Sequence, residues 1–92
     1  MATGIELPST AQAEALFVSD LSAFARHTEA SVQEAIRRAI LLHGGAGGCA
    51  AEVAAAYGEH PEIAAARMLW ARAVVEHSPR PLAIAEPAGG LV

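Results

Sequence analysis

The sequence predicts an all-α protein: a small four-helix bundle or orthogonal helical domain with a helix-turn-helix-like third and fourth helix and flexible termini. Three observations carry that expectation. Alanine fills 23 of the 92 positions, and alanine combines the highest helix propensity with a side chain small enough for helices to approach closely. Apolar residues recur at spacings of three and four. Glycine and proline, the two residues that interrupt helices, cluster at Gly44–Gly48, around Gly58–Pro61 and from Pro79 onward, which cuts the chain into helical lengths. The stretch from His43 to His77 organises the rest: a glycine-rich break, a short helix, a tight turn and a long helix, covered by two helices that precede it.

Residues 1–8 show no periodicity and read as a flexible N-terminal arm. A first helix over about 10–27, capped by Ser9 or Thr10, places Ala13, Phe17, Leu21 and Phe24 on one apolar stripe with Leu16 beside it. Val18 and Ala25 form a weaker second edge. A second helix over about 29–43 has two candidate starts, Thr28 as N-cap or the capping box Ser31-Val32-Gln33-Glu34. Val32, Ile36, Ala39, Ile40 and His43 share its inner face, and Leu41 and Leu42 widen it. Gly44 and Gly45 end this helix.

The third helix, about 48–57, carries Cys49, Val53, Ala56 and Tyr57 on one face and stops at Gly58. The fourth, about 61–77, begins with Pro61 at its first position and Glu62 at the positive end of the dipole. It is apolar on two sides, with Ala64, Met68, Ala71 and Val75 on one and Ile63, Ala66, Trp70 and Val74 on the other, so it needs two partners. Leu69 falls on the remaining arc with Glu62, Ala65, Arg72 and Glu76, where solvent is expected. Residues 9–77 thus form a single helical domain, and 78–92 a Pro/Gly-rich C-terminal tail.

The charge balance excludes some function classes. Six arginines, no lysine and ten acids give a net charge of −4, so no dense basic face can be assembled to neutralise phosphates, and nucleic acid is an unlikely partner on composition. No apolar run approaches the ~18 residues that span a bilayer, since Arg67 and Arg72 interrupt the longest, and MATGIELPST has neither the basic nor the apolar part of a secretory signal. A cytoplasmic protein is expected, and the single Cys49 fits a reducing compartment.

Four constellations carry chemistry. A helix-turn-helix reading rests on Val53-Ala54, Tyr57-Gly58 and Ala64, but Glu59 and Arg67 stand where such motifs want apolar residues, and Arg72 is the outer face's only good donor to DNA. The glycines 44–48 before a helix can cradle an anion, although no strand, P-loop lysine or dinucleotide pattern accompanies them. His43, Cys49 and His77 fall at one end of an up-down-up-down bundle, where a helix dipole lowers a thiol pKa, and form a candidate Cys–His or partial metal site. Each histidine also has a structural reason, because His27, His43 and His77 stand at expected helix ends. Finally, apolar residues outnumber what four short helices can enclose when only 17% of residues are charged, which points to self-association through Leu16, Val18, Leu41, Leu69, Trp70 and Val74.

Ala35-Ile36-Arg37, His43-Gly44-Gly45, Gly48-Cys49-Ala50-Ala51, Tyr57-Gly58, His60-Pro61-Glu62 and Arg67-Met68-x-Trp70-Ala71, spread over Leu16 to Val75, give a chain that resembles small uncharacterised all-helical proteins of actinobacteria. The resemblance implies the fold and no activity. The expectation is a protein acting through protein–protein contacts, as a homodimer or an accessory subunit beside a larger partner, with a degenerate helix-turn-helix regulator as the alternative. No cofactor and no enzymatic activity are expected, since no complete catalytic set shares a predicted face.

Overall fold

The computed structural model describes residues 7–77, so the expected arm, apart from Leu7 and Pro8, and the expected tail lie outside the described residues. Four helices follow in order: α1 (Ser9–Val18), α2 (Glu29–Leu42), α3 (Ala46–Glu59) and α4 (Pro61–His77). No strand is present among the described residues, and none of these helices is long and apolar enough to cross a membrane. The all-α expectation holds.

The organising element is α1. Ala15, Leu16 and Phe17 are buried in succession, with Ala13 one turn earlier, and a helix buried on consecutive positions has neighbours on nearly every side. It packs against α2, α3 and α4, whereas α2 and α4 do not touch. The core is thin: six of its thirteen buried residues are alanine, and the largest side chains withdrawn fully from solvent are Leu16 and Cys49. Phe17 stacks on Tyr57 of α3 with ring centroids 6.3 Å apart.

The first helix departs from expectation at both ends. Pro8, not Ser9 or Thr10, occupies its N-cap, and no side chain caps it. Leu7 packs against the core and its carbonyl accepts from Gln12 Nε2 at 2.8 Å, so the end of the expected arm is anchored. Nine residues early, the helix stops at Val18. Ser19 Oγ donates to the Leu16 carbonyl at 2.6 Å and accepts from the Leu21 N–H at 3.3 Å, and Ser22 Oγ accepts from the Phe24 N–H at 3.0 Å. Such local serine bonds compete with the helical ladder. Phe24 therefore leaves the expected stripe and stands fully exposed in the connection to α2.

Arg67 of α4 completes that turn. Its Nε donates to the Phe17 carbonyl at 2.6 Å, and its Nη2 to those of Ser19 at 3.0 Å and Leu21 at 2.9 Å. The last carbonyls of a helix have no intrahelical partner, and here a guanidinium about fifty residues away in sequence supplies one. Its Cζ lies over the Trp70 ring, 4.7 Å from the centroid, and His27, whose Nε2 donates to the Ser22 carbonyl at 2.6 Å, meets the same ring edge-on.

Capping fixes the remaining boundaries. Thr28 Oγ1 accepts from the Ser31 N–H at 3.0 Å, which selects the earlier of the two starts for α2. At the far end Gly44 adopts φ +76° and the Gly45 N–H reaches the Ile40 carbonyl at 2.8 Å, the six-to-one bond of a Schellman cap. Gly45, at φ +114°, is also the N-cap of α3, and its carbonyl accepts from the Cys49 N–H at 3.2 Å. Two residues with positive φ in a row turn the chain through 92° between α2 and α3. Gly48 completes the corner: a β-carbon there would overlap the His43 carbonyl oxygen.

The third helix starts at Ala46 and runs through Gly58 to Glu59, two residues beyond expectation at each end. Its stop moves to His60 because a residue preceding proline is pushed out of helical conformation. His60 alone links α3 to α4, donating its N–H to Ala56 and accepting from Ala64, both at 2.8 Å. Pro61 takes the first helical position, as expected.

Candidate functional site

The expected thiol cluster does not assemble. Cys49 is fully buried and its Sγ donates to the Ala39 carbonyl at 3.6 Å. His43 is half-buried at the C-cap of α2, and His77 turns back on its own helix, Nδ1 donating to the Ala73 carbonyl at 2.9 Å. No group of three His, Cys, Asp or Glu side chains among the described residues can hold a metal ion. Burial pushes the Cys49 thiol above its ordinary pKa, and the nearby Glu14 carboxylate adds to the rise. Both effects act against a thiolate, and full burial fits a cysteine packed as a small hydrophobe.

The glycine break is also occupied by structure. The Gly45 N–H serves the α2 cap, the Cys49 N–H serves the α3 cap, and the missing side chain of Gly48 makes room for the corner. The residues proposed as an anion cradle are those that close a right-angled joint.

The helix-turn-helix expectation placed the motif in α3 and α4, but those helices are joined by one residue, and Arg67 faces inward onto the end of α1. Burial lowers the Arg67 pKa. A right-angled joint with a three-residue glycine turn lies instead between α2 and α3, and α3 contains no basic residue.

The proposed interface residues divide three ways. Leu16 is withdrawn from the set, because α1 is enclosed by the other helices and Leu16 has no exposed surface. Val18, Trp70 and Val74 are half-buried, flanking the core. Leu41 and Leu69 are exposed, at 67% and 72%. Leu41 borders a shallow apolar groove on α2 with Leu7, Ile36 and Ile40. Leu69 stands at the middle of α4, on the side opposite the buried Ala64, Ala71 and Val75.

The arc around Leu69 is exposed, as the sequence predicts. Glu62, Ala65, Ala66, Arg72, Ala73 and Glu76 are all exposed on the same helix, and residues at 62, 65, 69, 72 and 76 share one face because their spacing of three and four matches the helical turn. The result is a leucine surrounded by alanines, with Glu62 toward one end of the helix and Arg72 followed by Glu76 toward the other. The spacing was readable; what it lacked in sequence was proof that no neighbour covers it.

A cleft of about 310 Å³ adjoins this face, between α1, α3 and α4, with Val53, Met68 and Val75 among its lining and Glu14, Arg72 and Glu76 at its edge. The surface ion pairs lie elsewhere. Arg37 meets Glu34 at 2.6 Å, and Arg38 lies 3.6 Å from Glu34 and 3.8 Å from Asp20. The hydrogen bond from Arg37 holds the Glu34 carboxyl below its ordinary pKa.

Compared with models of protein families, with curated proteins and with solved structures, the chain matches none.

Proposed function

We propose that this protein works through protein–protein contact and that its primary association is a homodimer. The observation that supports the reading is the outer face of α4, where Leu69 is 72% exposed amid Ala65, Ala66 and Ala73. Short side chains around one large apolar residue let a second helix approach closely and receive that residue in a shallow hollow. A thin, alanine-rich core has further reason to associate, since a small domain gains stability from any additional apolar area withdrawn from water. The contact role extends to an accessory subunit beside a larger protein, and the apolar groove around Leu41 supports a second contact of that kind.

The alternative, a degenerate helix-turn-helix regulator, draws support from the right-angled joint between α2 and α3. It ranks below the contact role, because a recognition helix without Lys or Arg offers nothing to phosphate or to guanine edges.

Size-exclusion chromatography with light scattering tests the proposal. The expected result is a mass that rises from one chain to two with concentration, and a Leu69→Asp variant that stays monomeric with unchanged helical circular dichroism. A wild-type monomer at millimolar concentration would refute the homodimer.

A further inference from the structure

Resting on the homodimer reading, we infer that the occupant of the α4 face is a second copy of the same helix, antiparallel, with Leu69 of each chain seated on Ala65 of the other. The exposed positions 62, 65, 69, 72 and 76 follow the alternating three-and-four spacing of a two-helix seam. A seam of this kind accepts a two-fold axis in which one copy runs against the other, and the register is decided by what each alignment brings together.

Parallel alignment sets Glu62 against Glu62 and Arg72 against Arg72, so both charged layers repel. Antiparallel alignment with the two Leu69 side chains face to face sets large against large and brings Glu62 opposite Glu76, again acid on acid. Shifting the second helix by four residues removes both conflicts. Glu62 then faces Arg72 of the second copy at each end, and between these layers Leu69 faces Ala65 twice. Of these three arrangements only this one is complementary in both charge and size. Ala66 and Ala73, both exposed, flank the seam without obstructing it. Glu62 and Arg72 form no ion pair with a described residue of their own chain, which leaves both available to the second copy.

The test reverses the charges. In Glu62→Arg and in Arg72→Glu, each dimer exchanges two attractions for two repulsions, and dimerisation measured by sedimentation equilibrium should weaken by about tenfold or more. The combined variant, E62R/R72E, restores both pairs in swapped order and should return to within about threefold of wild type. Cross-linking reads the register without relying on affinity. Under mild oxidation an equal mixture of Ala65→Cys and Leu69→Cys chains should link across the two variants in preference to either variant with itself, as the buried Cys49 takes no part.

Self-linking of Leu69→Cys in preference to the mixed product would overturn the four-residue shift. So would single reversals that leave the dimer unchanged, or a combined variant no better than either single one. Any of these results in a protein that does dimerise defeats the seam and leaves the homodimer standing, whereas a monomeric wild type defeats both.

Discussion

Replacing Arg67 by methionine removes the guanidinium while keeping an unbranched apolar stem of similar reach. Three carbonyls, those of Phe17, Ser19 and Leu21, then lose their donor, and Trp70 loses the cation over its face. A hydrogen bond involving a charged group contributes about 1.5–3 kcal/mol, but three on one guanidinium do not add, since half-buried carbonyls recover some water. A loss of about 3 kcal/mol is therefore expected. Against the roughly 4–10 kcal/mol that holds a domain of this length together, that is a large fraction. At about 4–8 °C per kcal/mol for a small domain, the midpoint should fall by roughly 12–24 °C. Thermal and urea unfolding followed by circular dichroism measure the change. Amide exchange should quicken first at Leu21 and Phe24, whose N–H groups rest on serine hydroxyls in the same turn. Arg67→Lys retains the charge but not the fork of donors and should recover less than half of the loss. A drop below about 4 °C for Arg67→Met, under 1 kcal/mol, would refute the claim that this side chain terminates α1.

Two further outcomes follow from the corner and the core. Gly48→Ala should destabilise by about 2–3 kcal/mol, the range for forcing extra atoms into a packed site, because its β-carbon overlaps the His43 carbonyl. The neighbouring Gly47→Ala, with nothing within 4 Å of the added carbon, should instead gain about 0.5–1 kcal/mol from reduced unfolded-state entropy; equal effects in urea titrations would contradict the corner packing. The buried Cys49 should react with a maleimide only as fast as the protein opens. Its raised thiol pKa means that above about pH 8.5 the unfolded chain sheds a proton that the folded chain keeps. Stability present below that pH is then lost progressively as pH rises toward the folded-state value, and Cys49→Ala should remove that component of the alkaline slope.

Much of the fold was legible wherever a boundary is made by residues next to it. Pro61 after His60, the Gly44-Gly45 pair and Thr28 each act within a few residues of their own position, and each lies where the sequence placed it. The end of α1 was not legible, because alanine, phenylalanine and leucine continue to favour helix past Val18. The termination comes from two serines folding onto local backbone and from an arginine on α4 that no local pattern connects to them. Leu16 was misplaced for a related reason: periodicity gives a face but not how many neighbours enclose it, and α1 has three. Cys49 and the histidines shared an end of the predicted bundle, yet spacing says nothing about direction. One side chain is directed into the core and another bonds its own helix. Leu69 was legible because it breaks the apolar period of α4, and a break in period needs no tertiary information to be seen.

The thinness of the core and the exposure of Leu69 have one cause. Because α1 lies at the centre, α4 directs its buried stripe to α1 and α3 and its Arg67 to the end of α1, while α2 remains out of reach. No described element is left to cover the far side of α4. Seating one leucine withdraws about 1.5–3 kcal/mol worth of apolar surface from water, and two-fold symmetry doubles it, whereas an exposed ion pair contributes about 0.2–1 kcal/mol. In the proposed dimer, leucine burial would thus supply the larger part of the driving force, and Glu62 with Arg72 would decide orientation and register. Set against the freedom that two chains lose on pairing, the surplus is small. The proposed dimer should therefore form and dissociate with concentration rather than act as a permanent extension of the core.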